Sequence, residues 1–330
     1  MKYFIGIVAL LVLALGITHL LPTNQSTETD GPIAIATSFY PLEYALTEIT
    51  GDLGTVTNIG AGRDPHDFVP TTEDILALQK ADLVVLQGAD FEPWGHDVEE
   101  GLEDAGVKVV IATAELELME GGHHHEHEED EHEEEHSDEH EEDEPEEEHE
   151  HEEDEHDHGE FDPHTWLDPI LFIQTVEQLT EALIAIDPNN SEAYESNSAE
   201  LIEKLQALDI SYQNRLASCT LDEVITSHDA FGYVSARYNF AVHSIGGLST
   251  QDTPSVATLA ELREEAEEGI STILLEENSI AAYGETLARE TGLTTASINP
   301  IAYVVPEGED YLSLMQKNLD TFATALNCNE

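Results

Sequence analysis

Four side chains with metal-binding chemistry lie at or near the carboxyl ends of predicted strands. Each belongs to a short polar segment: His66 in DPHDFVPTTEDILAL, His164 in DPHTWLDP, His228 in SHDAFGY and Asn299 in INP. Three imidazole nitrogens and one oxygen suit a borderline divalent ion such as Zn²⁺. An isolated histidine is more often a surface or core residue, so it is the joint placement that favours a metal site. By the same test His96, in a predicted polar helix, and His243, in a predicted strand, are expected to be ordinary residues.

A second group of imidazoles lies in a low-complexity block at residues 121–159. Residues 123–158 contain 11 His and 23 Asp or Glu, with no Lys or Arg. Such a charge density prevents packing, so we expect a disordered loop. Neutral imidazoles beside carboxylates would form many weak zinc sites, and the alternative is a solvated acidic linker. The candidate low-affinity metal residues are His123, His124, His125, His127, His132, His136, His140, His149, His151, His156 and His158.

These segments are embedded in a repeated βαβα pattern. In the first half of the chain, strand-like runs separated by amphipathic stretches occupy residues 33–38, 55–60, 83–88 and 108–113. In the second half they occupy residues 223–227, 240–245, 271–276 and 294–298. Apolar runs separated by helices predict mainly parallel sheets that are covered on both faces. We therefore expect an α/β fold of two (βα)₄ lobes, with ligand groups collected at the carboxyl ends of the strands.

Residues 191–217 predict one long helix that joins the two lobes. Its apolar residues recur at three- and four-residue spacing, and its length would be about 40 Å at 1.5 Å per residue. Because a helical connector resists bending, we expect the lobes to move little against each other. The expected organisation is a signal peptide or N-terminal anchor at 1–22, a tether at 23–31, a first lobe at 32–189 that carries the loop 121–159, a linking helix at 190–218 and a second lobe at 219–330.

The N-terminal segment predicts export. Residues 4–21 are apolar apart from Gly, Thr18 and His19, and they are just long enough to span a bilayer. No cysteine follows to carry a lipid and no convincing cleavage site precedes Thr23, so both a cleaved signal and an uncleaved membrane tether stay open. In an exported protein Cys219 and Cys328 are expected to form one disulfide, with two unpaired core thiols as the alternative.

The charge balance excludes whole classes of partner. The 330 residues contain 72 acidic and 10 basic side chains, for a formal net charge of −62. Recognition of nucleic acid or of an anionic membrane surface needs clustered Lys and Arg, so both are excluded, and cations are the natural counter-partner. With 40% hydrophobic residues the chain is too apolar to be a wholly disordered polyanion. We expect a folded monomer.

Four motifs in order along residues 33–326 resemble the metal-binding solute-binding proteins of ABC transporters, in particular the high-affinity zinc uptake branch. They are DPHDFVPTTEDILALQKADLVV, DPHTWLDP, SHDAFGYVSARY and YLSLMQKNLDTFATAL. The resemblance implies two α/β lobes bridged by a rigid helix, with one metal ion in the cleft and an ABC permease as partner. It places the metal ligands on His66, His164 and His228, and a histidine at the third position favours Zn²⁺ over Mn²⁺.

The resemblance breaks down at the fourth ligand. Many relatives have an Asp at the end of the last strand, whereas this chain has Asn299. An uncharged carboxamide is a weaker zinc ligand than a carboxylate, so the fourth position is expected to be Asn299 Oδ1, water or a carboxylate from the His-rich loop. We expect a more open site that binds zinc less tightly or releases it faster.

The resemblance also leaves other functions open. A zinc hydrolase would share three His and an open coordination position, but there is no HExxH motif. Asp67 and Asp229 follow two of the ligands and are expected to orient them or to cap helices rather than to act as general bases. A manganese-binding protein of the same family and an adhesin are the remaining alternatives. The protein is expected outside the cytoplasm, in the periplasm or at the cell surface, and not to be an enzyme.

Overall fold

The computed structural model describes residues 31–121, 161–266, 269–276 and 281–329. Two units are distinguished along the chain, Met1–Pro32 and Ile33–Glu330, and the two lobes belong to the second unit. The expectations for the signal or anchor, for nearly all of the tether and for the eleven loop histidines lie outside the described residues.

The first lobe is a four-stranded parallel sheet with the strand order β2-β1-β3-β4. Its strands are β1 (Ile33–Thr37), β2 (Gly54–Asn58), β3 (Leu83–Leu86) and β4 (Lys108–Ile111). Its helices are α1 (Tyr40–Thr50), α2 (Thr72–Leu78) and α3 (Gly95–Asp104). The central β3 is buried at every position, as expected for a parallel strand that is covered on both faces.

The second lobe repeats this arrangement, with the strand order β6-β5-β7-β8 and all strands parallel. Its strands are β5 (Glu223–Thr226), β6 (Ala241–Ser244), β7 (Thr272–Leu275) and β8 (Thr294–Ser297). The helices that follow the linking helix are α6 (Gly232–Tyr238), α7 (Val256–Glu265), α8 (Ala281–Thr291) and α9 (Tyr311–Ala325). The predicted fold class of two four-stranded α/β lobes is therefore confirmed.

All eight observed strands end one or two residues before the predicted carboxyl ends. The backbone turns at these points instead of continuing the sheet. Gly60 lies two residues after β2 and packs against the residue that follows β1. A Cβ atom at this position would lie 2.0 Å from the Ser38 carbonyl oxygen. Gly88 follows β3 with φ +83°, a conformation that side-chain-bearing residues rarely adopt. Polar residues beyond the strands are thereby turned out of the sheet.

Two helices between the lobes build the shared core. The helix α4 (Pro169–Ile186) is not among the predicted elements, although Asp168 caps its first turn and its apolar residues recur at helical spacing. It is long and apolar enough to cross a bilayer, but half of its residues, among them Phe172 and Leu179, are buried in the protein core. It is therefore a core helix.

The helix α5 (Ser191–Leu216) is the predicted long connector. Near its start, Asn197 Nδ2 donates to the carbonyl oxygen of Ile49 in the first lobe at 2.9 Å. Near its end, the Tyr212 hydroxyl donates to the carbonyl oxygen of Met315 in the second lobe at 2.7 Å. One helix therefore packs against both lobes.

A disulfide between Cys219 and Cys328 joins the end of α5 to the C-terminal segment. The described residues include no free cysteine. The expected pairing is present, and it closes a loop across 109 residues.

Candidate metal centre

His66 lies on the loop between β2 and α2 of the first lobe. The preceding Asp64 shapes this loop, because its Oδ1 accepts the His66 backbone N–H at 3.1 Å. The other carboxylate oxygen of Asp64 accepts the Thr250 hydroxyl of the second lobe at 2.6 Å. The loop that carries His66 is thus hydrogen-bonded across the cleft. Asp67, which is expected from the sequence to orient a ligand, instead accepts from Gln251 Nε2 at 3.2 Å.

His164 lies at the start of a short 3₁₀ turn, Thr165–Leu167, after the His-rich block. The sequence Asp-Pro-His occurs here a second time, and Asp162 Oδ1 accepts the His164 backbone N–H at 2.9 Å. The same oxygen lies 2.8 Å from His164 Nδ1. Gln87 Nε2, just beyond β3, donates to the Pro163 carbonyl oxygen at 2.6 Å and so holds the segment against the first sheet.

His228 is positioned by the register of the second sheet. Thr226 at the end of β5 pairs with Leu274 of the neighbouring parallel strand β7. Two residues farther along both strands, His228 and Glu276 are therefore side by side, and His228 Nδ1 lies 2.6 Å from Glu276 Oε1. The Ser227 hydroxyl accepts the Glu276 backbone N–H at 3.0 Å, which holds the pair in place.

The three histidines meet between the lobes. One ring nitrogen from each of His66, His164 and His228 lies within 4.8 Å of the other two, and the ring centroids are 5.3 to 6.0 Å apart. The Nε2 atoms of His164 and His228 are buried without a hydrogen-bond partner. Buried polar atoms normally have a hydrogen-bond partner, so these two nitrogens, which lack one, are suited to bind a metal ion. A tetrahedral zinc ion about 2.1 Å from each nitrogen requires the nitrogens to be about 3.4 Å from one another. The three side chains would therefore move slightly closer together around the ion.

Aromatic rings close one side of the cluster. Phe91 lies edge-on to His66 at 4.7 Å between ring centroids, and Trp166 is 5.2 Å from His164. Phe91 and Trp166 also contact each other at 4.9 Å. Phe231, three residues after the candidate ligand His228, packs on Phe322 in the core of the second lobe. Phe91 and Trp166 therefore form the aromatic side of the cluster.

Burial and neighbouring charges shift the pKa values of the site. Burial, followed by the charges of the other imidazoles, holds the pKa values of His66 and His164 well below their usual range. Burial also opposes the charged form of His228, but the Glu276 carboxylate together with the charges of Asp64 and Asp229 outweighs it and raises the His228 pKa. Burial raises the pKa of Asp162 to about 7. Two of the three imidazoles thus stay neutral, the form that binds metal.

Asn299, the fourth predicted ligand, lies two residues beyond β8, and both polar atoms of its side chain are used locally. Its Oδ1 accepts the Ile301 backbone N–H at 2.7 Å, and its Nδ2 donates to the Val304 carbonyl oxygen at 3.0 Å. Asn299 and Glu276 line the same cavity of about 430 Å³. The structure therefore brings the three histidines together, while the Asn299 side chain is part of its own turn.

The sequence interpretation did not single out Asp162, Glu276 or Phe91 as site residues. A signal existed for the two carboxylates. Asp162 repeats the Asp-Pro-His spacing of the first motif, and Glu276 is the first residue after a buried strand. No local pattern distinguishes Phe91 from other core aromatic residues.

Comparisons with known proteins give the family. A family model described as zinc-uptake complex component A, periplasmic (ZnuA), matches residues 35–325. The zinc-binding lipoprotein AdcA of Streptococcus pneumoniae is 35% identical over 318 residues, covering 94% of this chain. This chain spans 59% of the length of AdcA. The high-affinity zinc uptake system protein ZnuA of Bacillus subtilis is 35% identical over 311 residues, covering 92% of this chain and 91% of its own.

A solved structure agrees with these sequence relatives. The Zn(II)-bound ZnuA-like domain of S. pneumoniae AdcA superposes with a TM-score of 0.70 at 32% identity, covering 90% of this chain and all of the domain. These relatives are named for zinc binding and zinc uptake, in agreement with the expectation that the protein is not an enzyme. By sequence, fold and the cluster of histidines between its lobes, the chain belongs to the ZnuA family of zinc-uptake components.

Proposed function

We propose that this protein binds one Zn²⁺ ion between its lobes through His66, His164 and His228, and delivers it to an ABC transporter permease. The observation that carries the proposal is the meeting of three imidazole nitrogens within 4.8 Å. The histidines come from both lobes, so the occupied site would join them. The names of the AdcA and ZnuA relatives supply the cargo and the uptake role.

The donor set favours zinc over manganese. Imidazole nitrogens suit Zn²⁺, whereas a site dominated by carboxylate and water oxygens suits Mn²⁺. A fourth ligand is still required for a tetrahedral zinc ion. Asn299 Oδ1 could serve only by giving up its bond to the Ile301 N–H, so we propose a water molecule as the simplest fourth ligand.

The proposal is tested by titrating metal-free protein with Zn²⁺ and with Mn²⁺ under native mass spectrometry. We expect one tightly bound Zn²⁺ per chain and weaker retention of Mn²⁺. His228→Gln should lose the tight zinc, while His243→Gln should keep it, because His243 lies on β6 between Glu223 and Glu265. Tight zinc in the His228 variant would refute the assignment.

We also propose that the His-rich block at 121–159 collects zinc at low affinity or reports its abundance. The eleven histidines of this block support the proposal, because solubility alone does not need them. Deleting 121–159 should leave one tight zinc and remove the weaker ones. A matched variant, with the eleven histidines changed to glutamine and every carboxylate kept, distinguishes imidazole binding from simple acidic attraction. Unchanged total stoichiometry in both variants would refute the proposal.

The proposed location is outside the cytoplasm, with residues 4–21 either removed as a signal or kept as a membrane tether. The periplasmic description of the family and the lipoprotein name of AdcA support this location. Fractionation of cells expressing the full chain, with and without residues 4–21, tests it. Cytoplasmic recovery of the full chain would contradict it. We further propose a monomer, which light scattering of the purified protein checks.

A further inference from the structure

If the candidate metal centre binds zinc, the 2+ charge of the ion lies in a buried site and needs a compensating negative charge. The inference about which residues supply that charge rests on the proposed function. His164 and His228 are each only 1% exposed. Three neutral imidazoles and a water or amide oxygen bring no negative charge to a dication. A buried charge without a counter-charge is strongly unfavourable. The compensating charge must therefore come from farther out.

Two buried carboxylates lie in the right place. Asp162 and Glu276 are each 4% exposed, and each has an oxygen within 2.8 Å of the Nδ1 atom of a histidine. A carboxylate at Nδ1 selects the tautomer that carries the proton there. The nitrogen left available to a metal is then Nε2, the atom that is buried without a partner in both His164 and His228.

Hydrogen bonds from their own backbone N–H groups hold Asp162 and Glu276 in place. Asp162 donates its own N–H to the Met119 carbonyl oxygen at 2.9 Å, and its Oδ1 also accepts the His164 N–H. Glu276 donates its N–H to the Ser227 hydroxyl. The two groups belong to different segments, one before the 3₁₀ turn and one at the end of β7, so they approach the cluster from different directions.

His66 has a different environment. The nearby carboxylate Asp64 uses its two oxygens for the His66 backbone N–H and the Thr250 hydroxyl. Its charge thus supports the loop and the contact between lobes. In the described part of the chain, Asp162 and Glu276 each lie at hydrogen-bond distance from an imidazole ring of the cluster, while Asp64 and Asp229 also act on His228 through their charge.

We propose that Asp162 and Glu276 are positioning residues that supply the negative charge of the metal centre through His164 and His228. The chain would thereby bind a dication with an uncharged set of direct ligands. This arrangement compensates for the absence of an acidic residue at position 299. Carboxylates that hold metal-binding histidines typically change metal affinity by about 10- to 100-fold when they are removed.

The test measures zinc affinity by chelator competition in full-length Asp162→Asn and Glu276→Gln. Both substitutions keep an oxygen that can accept from Nδ1 and remove only the charge. We expect affinity to fall about 10- to 100-fold in each. The matched control is Asp209→Asn, a buried carboxylate on α5 that accepts from the Tyr238 hydroxyl and Gln213 Nε2 and contacts no imidazole. It should bind zinc like the wild type.

Two further readouts distinguish charge from damage to the fold. In metal-free protein, ¹⁵N NMR of the imidazoles should show the Nδ1–H tautomer for both histidines, retained in the Asn and Gln variants but lost at His228 in Glu276→Ala. Glu276→Asp, which keeps the charge, should recover part of the affinity. Wild-type affinity in both uncharged variants, or no recovery by Glu276→Asp, would overturn the inference. Failure of the wild type to bind zinc would instead refute the proposed function.

Discussion

Removing His164 or His66 should have different consequences for the metal-free protein. Both His164→Ala and His66→Ala delete one of three nitrogen ligands, so both should lose the tight zinc. His164 is almost fully buried and its Nδ1 faces Asp162, whereas the His66 imidazole has its edge contact with Phe91 and is partly exposed. The two variants should therefore differ in folding stability.

The size of the difference follows from these contacts. His164→Ala leaves the Asp162 carboxyl buried without its imidazole, which costs about 1–3 kcal/mol. The cavity left by the ring adds about 1 kcal/mol or more. His66→Ala removes a partly exposed ring that packs against Phe91, for which about 1 kcal/mol is expected. The metal-free His164 variant should thus unfold about 1–3 kcal/mol more easily than the His66 variant.

Urea denaturation with a chelator present measures this difference, and the same samples with excess Zn²⁺ provide the second comparison. Wild-type protein should gain stability with zinc, because a ligand that binds only the folded state stabilises it. Neither variant should gain as much. Equal metal-free stability of the two variants would refute the structural role assigned to the contact between His164 and Asp162.

Three further outcomes are expected. Changing Cys219 and Cys328 together to Ser should lower the free energy of unfolding by up to about 5 kcal/mol, because the crosslink constrains a 109-residue separation in the unfolded chain; chemical denaturation measures it, and reduced wild-type protein should match the variant. Metal-free protein should lose stability as the pH falls below the ordinary histidine pKa of about 6.5, because the unfolded chain takes up protons that folded His66 and His164 refuse. Each of these groups contributes up to about 1.4 kcal/mol per pH unit, partly offset by the raised pKa values of His228 and Asp162. Urea midpoints at about pH 7.5 and about pH 5.5, on either side of the ordinary histidine pKa, should show a smaller loss in His66→Gln. Thr250→Val removes a hydrogen bond between the lobes and should speed zinc release about 2- to 10-fold, which stopped-flow transfer to a chelator measures; an unchanged rate would show that this bond does not hold the cleft closed.

Much of the fold could be predicted because it is encoded locally. Apolar β-branched runs alternate with amphipathic segments, and all eight strands and the long connector lie where this pattern indicated. The helix Pro169–Ile186 was not predicted, although its apolar residues recur at helical spacing after Asp168. The strand ends were overestimated by one or two residues, because turns there depend on contacts such as that of Gly60 with the neighbouring strand.

The candidate site divides in the same way. The positions of His66, His164 and His228 near strand ends follow from the chain itself, because parallel strands present their carboxyl ends at a common edge. The use of Asn299 in its own turn could not be predicted, since it depends on the conformation of residues 299–304. Neither could the contact of Phe91 with Trp166 beside the cluster, because these residues are far apart in sequence.

The amino-acid sequence by itself determined the element types, the repeated Asp-Pro-His turns and the supply of imidazoles, because each depends on neighbours within a few residues. Only the tertiary structure decided which carboxylate serves which histidine. His228 and Glu276 are 48 residues apart and meet because β5 and β7 are adjacent parallel strands in register. Strand order is set by the packing of the whole lobe, so no local pattern contains it.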